Sequence, residues 1–243
     1  MSRSAVSYSR SPYPVRRDIE EAHRLAWLRL AKPGTWWTGA DRVAIARETR
    51  NARTCRVCAE RKQTLSPFAV TGDHDSDTPL PRPVVDVAHR VTTDPGRLTR
   101  KWFEEIRAAG IDDAHYVEAL GVIVRTAAID NFCIAIGAPL HPLPAPEPGA
   151  PSRTRPGNLV DEGFFVPVQP QGSDLYGGGI VPNVARALSL VPDEVRAMFE
   201  IMPPHYVPME HVPDPTYDPG RAIDRAQMEL VAARVSAVNE CFY

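Results

Sequence analysis

Cys55 and Cys58 are separated by Arg56 and Val57, a spacing that lets two thiols share one helical turn and close an intramolecular disulfide. Arg47, Arg50, Arg53, Arg56, Arg61 and Lys62 crowd the same stretch. Positive neighbours favour thiolate over thiol and so raise the attacking fraction at neutral pH. Spacing and charge together predict a redox-active pair. Two plainer readings stand beside it: unreactive surface thiols, or half of a zinc site. Structural zinc needs four ligands, and His74 and His89 follow at successive gaps of fifteen and fourteen residues, which fit no common zinc pattern. His74 lies in TGDHDSD, which lacks the Gly and terminal Glu of a calcium loop and reads as a solvated acidic turn. Cys133, between Phe132 and Ile134, reads as a buried small hydrophobe, and Cys241 stands alone.

These residues need a scaffold, and composition bounds it. The chain has 243 residues, with 28 Lys+Arg against 30 Asp+Glu, a net charge of -2. That balance argues against a nucleic-acid partner chosen by bulk electrostatics. No apolar run approaches the ~20 residues of a membrane span, so no membrane partner is expected. The first residues carry no apolar core of a secretory signal, which together with the cysteine usage predicts a reducing, cytoplasmic setting. Proline is the unusual count, 25 residues, and it clusters at 79–83, 139–156 and 203–219. The middle cluster, PLHPLPAPEPGAPSRTRP, reads as a semi-rigid spacer.

Proline marks where helices stop, so the proline-free stretches 18–32, 34–66, 96–138, 193–202 and 220–243 are expected to be helical. Residues 116–137 are apolar almost all round, which predicts a helix central to its core. Residues 97–109 form an amphipathic pattern through Leu98, Trp102, Phe103 and Ile106. Gly110 should end that helix, and Asp112 or Asp113 cap the next. His23, beside Trp27 on an amphipathic stretch, reads as a packing or surface residue. Only 163–168, GFFVPV, looks extended, and its proline demotes it. The fold class expected is all-α.

Two segments carry a family resemblance: IVPNVARALSLVPDEVRAMFEIM (180–202) and DRAQMELVAARVSAVNECFY (224–243). Both resemble the alkyl hydroperoxidase D-like branch of the carboxymuconolactone decarboxylase superfamily, all-helical thiol proteins. The family motif runs from a Glu to a Cys twelve residues on, then a second Cys after two residues, then a His after three. Glu229 and Cys241 match its opening, and the chain given stops at Tyr243. With Cys55 placed on Cys241, the first half resembles another copy. The resemblance then implies an N-terminal arm (1–17), a full helical unit (18–141), a proline-rich linker (142–156) and the first half of a second unit (157–243). This is a tandem repeat of an alkyl hydroperoxidase D-like bundle with an incomplete second copy.

The copies depart from the motif in opposite ways. The first has both cysteines, but Val43 stands at the glutamate position and Lys62 at the histidine position, with Glu48 and Glu60 out of register. The second has Glu229 and Cys241 only. By resemblance the site residues are Cys55, Cys58, Glu229 and Cys241, with Cys58 attacking peroxide and Cys55 resolving the sulfenic acid. The implied activity is thiol-dependent reduction of peroxides or disulfides. It would use no metal or organic cofactor, a dithiol or thioredoxin-like reductant, and a homo-oligomeric assembly. Two alternatives stay open, a carboxymuconolactone decarboxylase-like enzyme and a catalytically degenerate assembly protein. The register also puts the family's attacking cysteine directly after Tyr243; a truncated sequence is the plainer reading of that end, and a selenocysteine codon there, with a histidine four residues beyond it, is the sharper one.

Overall fold

The computed structural model describes residues 6–238. Side chains cap the starts of some helices, while others open on acidic residues or proline in the first turn. Helix α1 (Arg17–Ala31) carries Asp18 and Glu20 in its first turn and buries Ile19, Ala22, Trp27 and Leu30. Helix α2 (Gly39–Asn51) opens with a capping box, Thr38 accepting from the Asp41 N–H while Asp41 accepts from the Thr38 N–H. Helices α3 (Arg56–Gln63) and α4 (Arg82–Thr93) follow, separated by a long irregular loop, and Pro83 sits in the first turn of α4. Thr99 caps α5 (Arg100–Ala108), so the amphipathic pattern that starts at residue 97 becomes helical three residues later. Gly110 ends it at φ +100°, a backbone angle that side chains disfavour. The Asp112 carboxylate then accepts the His115 N–H at 2.8 Å and starts α6 (Asp113–Ala135).

Helix α6 is the centre, as its all-round apolar character predicts. It packs against α1, α2, α4 and, from the second half, α8. The second half contributes α7 (Asn183–Arg186), α8 (Pro192–His205) and α9 (Arg225–Val238). Among the described residues the protein is all-α, with no strand; its one β contact is the Val160–Val168 bridge beside Pro167. None of the described helices is long and apolar enough to cross a membrane. Helix α9 buries Arg225 and Met228 and leaves Leu230, Val231, Val235 and Val238 exposed.

The proline-rich segment departs from the spacer expected. It has no regular secondary structure, yet it is strapped to the first half. The Glu147 N–H donates to Ala31 O at 2.7 Å and the Arg153 N–H to Thr35 O at 2.8 Å. Arg155 forks onto the Asp113 carboxylate at 2.8 and 2.9 Å.

The two halves are joined by buried charge. Glu194 of α8 lies between Arg42 of α2 (3.0 Å) and Arg125 of α6 (2.7 Å), and Arg42 also pairs with Glu118 of α6. All four side chains are at most 7% exposed. Gly121 makes the approach possible, because a Cβ there would collide with the Glu194 carboxylate. Removing one partner of such a network strands charge without water. Glu194→Ala is therefore expected to destabilise the fold by about 3–5 kcal/mol, seen as a lowered urea midpoint with an unchanged slope; a loss under ~1 kcal/mol would show that the network carries little weight.

A second buried cluster makes stability pH-dependent. His23 lies between the Tyr8 hydroxyl (2.5 Å at Nδ1) and His205 (2.5 Å at Nε2), with Phe132 edge-on. Burial, then the neighbouring His205 and His141, lowers its pKa from 6.5 to about 3. The folded pKa is depressed, so below pH 6.5 the unfolded chain binds a proton that the folded one refuses. Stability from this group is complete above pH 6.5 and is lost as pH falls towards 3, by ~1.4 kcal/mol per pH unit. His23→Phe should flatten the stability–pH curve between pH 6 and 4 by about that slope; an unaltered slope would contradict the assignment.

Candidate functional site

Four segments build the site. Helix α2 ends at Asn51, and a 310 turn, Ala52–Thr54, leads to Cys55, the extended N-cap residue of α3. Cys58 follows within the first turn, so both sulfurs sit where unpaired N–H groups and the helix dipole favour negative charge. The loop at 64–81 returns His74 to the same place, fixed by the Asp75 carboxylate on the Arg56 N–H (2.8 Å) and the Asp75 N–H on Cys55 Sγ (3.4 Å). Helix α4 supplies Asp86 and His89, three residues apart and therefore on one face. Helix α2 supplies Glu48.

The side chains converge. Cys58 Sγ is 3.3 Å from His89 Nδ1 and 3.4 Å from His74 Nδ1, and Cys55 Sγ is 3.6 Å from His74 Nδ1. Behind each ring stands a carboxylate: Glu48 Oε2 is 2.9 Å from His89 Nε2, and Asp86 Oδ1 is 2.9 Å from His74 Nε2. Carboxylates only accept, so each Nε2 carries its proton. Both Nδ1 atoms therefore face the sulfurs. Cys55, Cys58 and His89 are at most 3% exposed, and both cysteines are free thiols.

The electrostatics separate the two rings. Burial opposes charge on His74, but Asp86 and then the two sulfurs outweigh it and raise its pKa to about 10. Burial dominates at His89 and, despite Glu48, lowers its pKa. Asp86 is held well below the ordinary carboxylate range: its burial is overcome by His74, the Trp102 N–H and Arg90. Burial would raise the Cys55 thiol, yet the backbone N–H groups of Cys58 and Asp75 and the His74 ring bring it down. The metal-free site thus pairs a cationic His74 with a thiolate-prone Cys55, and a neutral His89 with Cys58.

The residues expected from sequence fare unequally. Cys55 and Cys58 are brought together with both histidines, and His74 belongs to the buried site rather than to a solvated turn. The arginines were expected to polarise the thiols, but most point elsewhere: Arg50 forks onto Asp130 at 2.7 and 2.8 Å, Arg53 reaches Asn131 and Arg56 reaches Glu60. His74 takes over that role. Lys62 lines, with Arg53, a cleft of about 430 Å³ that opens onto both cysteines. Glu229, on α9, bonds Tyr206 and Arg225, and none of its partners is a residue of the thiol site. Cys241 lies outside the described residues. Compared with protein-family models, with curated proteins and with solved structures, the chain matches none of them. The site must therefore be read from its own geometry.

His74 and His89 are the nearest zinc candidates in the sequence, and their spacing argues against them, yet the fold brings both to the cysteines; Glu48 stands out of register there, and no motif in the sequence singles out Asp86. The available signals were faint: an Asp and a His three apart on one amphipathic helix, and a lone His between acids. Among the described residues, Cys55, Cys58, His74 and His89 form the one cluster able to hold a metal ion. Cys133 contrasts with them. It is 0% exposed in α6, and burial, ahead of the compensating Tyr8 hydroxyl, raises its pKa. Iodoacetamide at neutral pH should therefore label Cys55 at least ~10-fold faster than Cys133 in the folded, reduced, chelator-treated protein. Equal rates in peptide mapping would contradict the contrast.

Proposed function

We propose that Cys55 and Cys58 are a redox dithiol that reduces peroxides or disulfides, with Cys58 as the attacking thiol and Cys55 as the resolving one. The observation that carries this reading is the line Cys58 Sγ, His89, Glu48, with separations of 3.3 and 2.9 Å. It is a nucleophile, a base and a group that orients the base. Glu48 holds the Nε2 proton, leaving the Nδ1 lone pair to receive the Cys58 proton. The resemblance to alkyl hydroperoxidases asks for a Glu–His relay to the second cysteine. Here Glu48 and His89 can serve in place of the motif's Glu and His, whose positions Val43 and Lys62 occupy.

The chemistry balances as follows. His89 takes the Cys58 proton, and the thiolate attacks the O–O bond of a hydroperoxide, giving a sulfenic acid and an alkoxide. The alkoxide leaves with the proton from His89. The Cys55 thiolate, stabilised by His74, attacks the sulfenic sulfur, forming the disulfide and expelling hydroxide, which takes the proton of the His74 imidazolium and leaves as water. An external dithiol, of thioredoxin-like chemistry, reduces the disulfide by exchange. The cleft over the two cysteines, edged by Arg53 and Lys62, admits a small polar peroxide.

Reduced protein in chelator-containing buffer should lose two thiols per equivalent of peroxide and yield a 55–58 bridge by mass spectrometry. Cys55→Ser should stop at a sulfenic acid trapped by dimedone. His89→Gln should slow the first step by roughly 10²–10⁴ while Lys62→Ala changes it little. A Cys58 that reacts no faster than a free cysteine, or no bridge under diamide, would refute the reading.

A further inference from the structure

Four donor atoms converge on one point, and the contacts among them fit ligands around a metal as well as hydrogen-bonded neighbours. Around tetrahedral zinc, with Zn–S of about 2.3 Å and Zn–N of about 2.0–2.1 Å, a sulfur and a nitrogen lie about 3.5 Å apart. Three of the four S···N separations are 3.3, 3.4 and 3.6 Å, and all four donor atoms fall within 4.8 Å of one another. We propose that Cys55 Sγ, Cys58 Sγ, His74 Nδ1 and His89 Nδ1 form a closed Cys2His2 site for a divalent zinc ion.

Three further features fit that ion. Each imidazole presents Nδ1 to the site and gives its Nε2 proton to a carboxylate, Glu48 or Asp86, the arrangement that fixes the tautomer of a metal-ligating histidine and raises its basicity. Two thiolates neutralise the 2+ charge, and the soft sulfurs with two imidazoles select zinc over magnesium or calcium. Four protein ligands in a buried setting leave no open position, so the metal is held rather than offered to substrate.

The loop shows what the metal would do. Residues 64–81 contain no helix, and only Val70 and Leu80 are buried among their apolar side chains. Val70 closes a small cluster with Cys55, Val57 and Cys58, separate from the main core. Such a loop has little apolar burial to offset its ordering. A zinc ion would staple it through His74 to the start of α3 and to α4. The metal site stands on geometry alone; its consequence for reactivity rests on the peroxide reading. Zinc-bound thiolates cannot also be a disulfide. One hydroperoxide and two protons would convert the two thiolates to the disulfide, releasing an alcohol, a water and the zinc ion. The metal would therefore guard the dithiol until an oxidant displaces it.

The test uses the full chain, reduced and stripped of metal, titrated with Zn²⁺ and with Co²⁺ as a spectroscopic probe. One metal per chain is expected, with thiolate-to-cobalt charge-transfer bands and the intense visible bands of a tetrahedral site. Asp86→Asn should weaken zinc binding about 10–100-fold, His74→Asn should abolish the tetrahedral spectrum, and Glu229→Gln should leave both unchanged. Zinc should also protect the loop at 64–81 from limited proteolysis. A featureless or octahedral cobalt spectrum in the unsubstituted protein, or metal content indifferent to His74→Asn, would overturn the site. Peroxide separates the two readings. Zinc released once per disulfide supports both, and zinc retained with thiols intact leaves the site standing and defeats the redox reading. A disulfide formed by protein that never bound zinc does the reverse.

Discussion

Two carboxylates, the buried Glu48 and the half-buried Asp86, decide what the site can be. Glu48 and Asp86 each occupy the far nitrogen of an imidazole, which leaves the Nδ1 of His74 facing Cys55 and Cys58 and that of His89 facing Cys58. A buried imidazole without a partner on its outer nitrogen would be costly, and a ring free to turn would not hold a lone pair on the thiols. The carboxylates are themselves held. Ser76 donates to Glu48 at 2.7 Å, while Trp102 Nε1 and Arg90 donate to Asp86 at 2.7 and 3.0 Å. The order of dependence runs from α2 and α4, through two carboxylates, to two rings, and only then to the cysteines.

That order links the site to the core. Helix α2 buries both Glu48 and Arg42, and the charge of Arg42 is taken up by Glu118 and Glu194. Arg42 thereby ties α2, the helix that carries Glu48, to α6 and to α8 from the second half. The proline-rich strap works in the same direction from outside, tying the loop after α1 and the start of α6. Redox chemistry and metal binding ask the same thing of this scaffold: two sulfurs and two ring nitrogens held at one point.

The sequence revealed what is local and hid what is not. Helix α6 was legible because its apolar run is continuous, and its start because Asp112 caps within three residues. The Cys55–Cys58 pair was legible because a two-residue gap fixes distance by itself. His74 and His89 were not, since their relation to the cysteines depends on how a long loop returns. Glu48 was seen only as an acid out of register, and it acts through a histidine from another helix. The arginines misled for a related reason: charge along a chain does not reveal which carboxylates, Asp130 for Arg50, will capture it. The strap was misread because proline content reports local stiffness and not the backbone hydrogen bonds made by Glu147 and Arg153.

The central claim is the convergence of two sulfurs and two imidazole nitrogens on one point, and X-ray absorption at the zinc edge of the metal-loaded protein tests it most directly. Convergence requires a shell of two sulfurs at about 2.3 Å and two nitrogens at about 2.0–2.1 Å, with the outer-shell scattering of imidazole rings. A shell of oxygen and nitrogen without sulfur, or of sulfur alone, would contradict it.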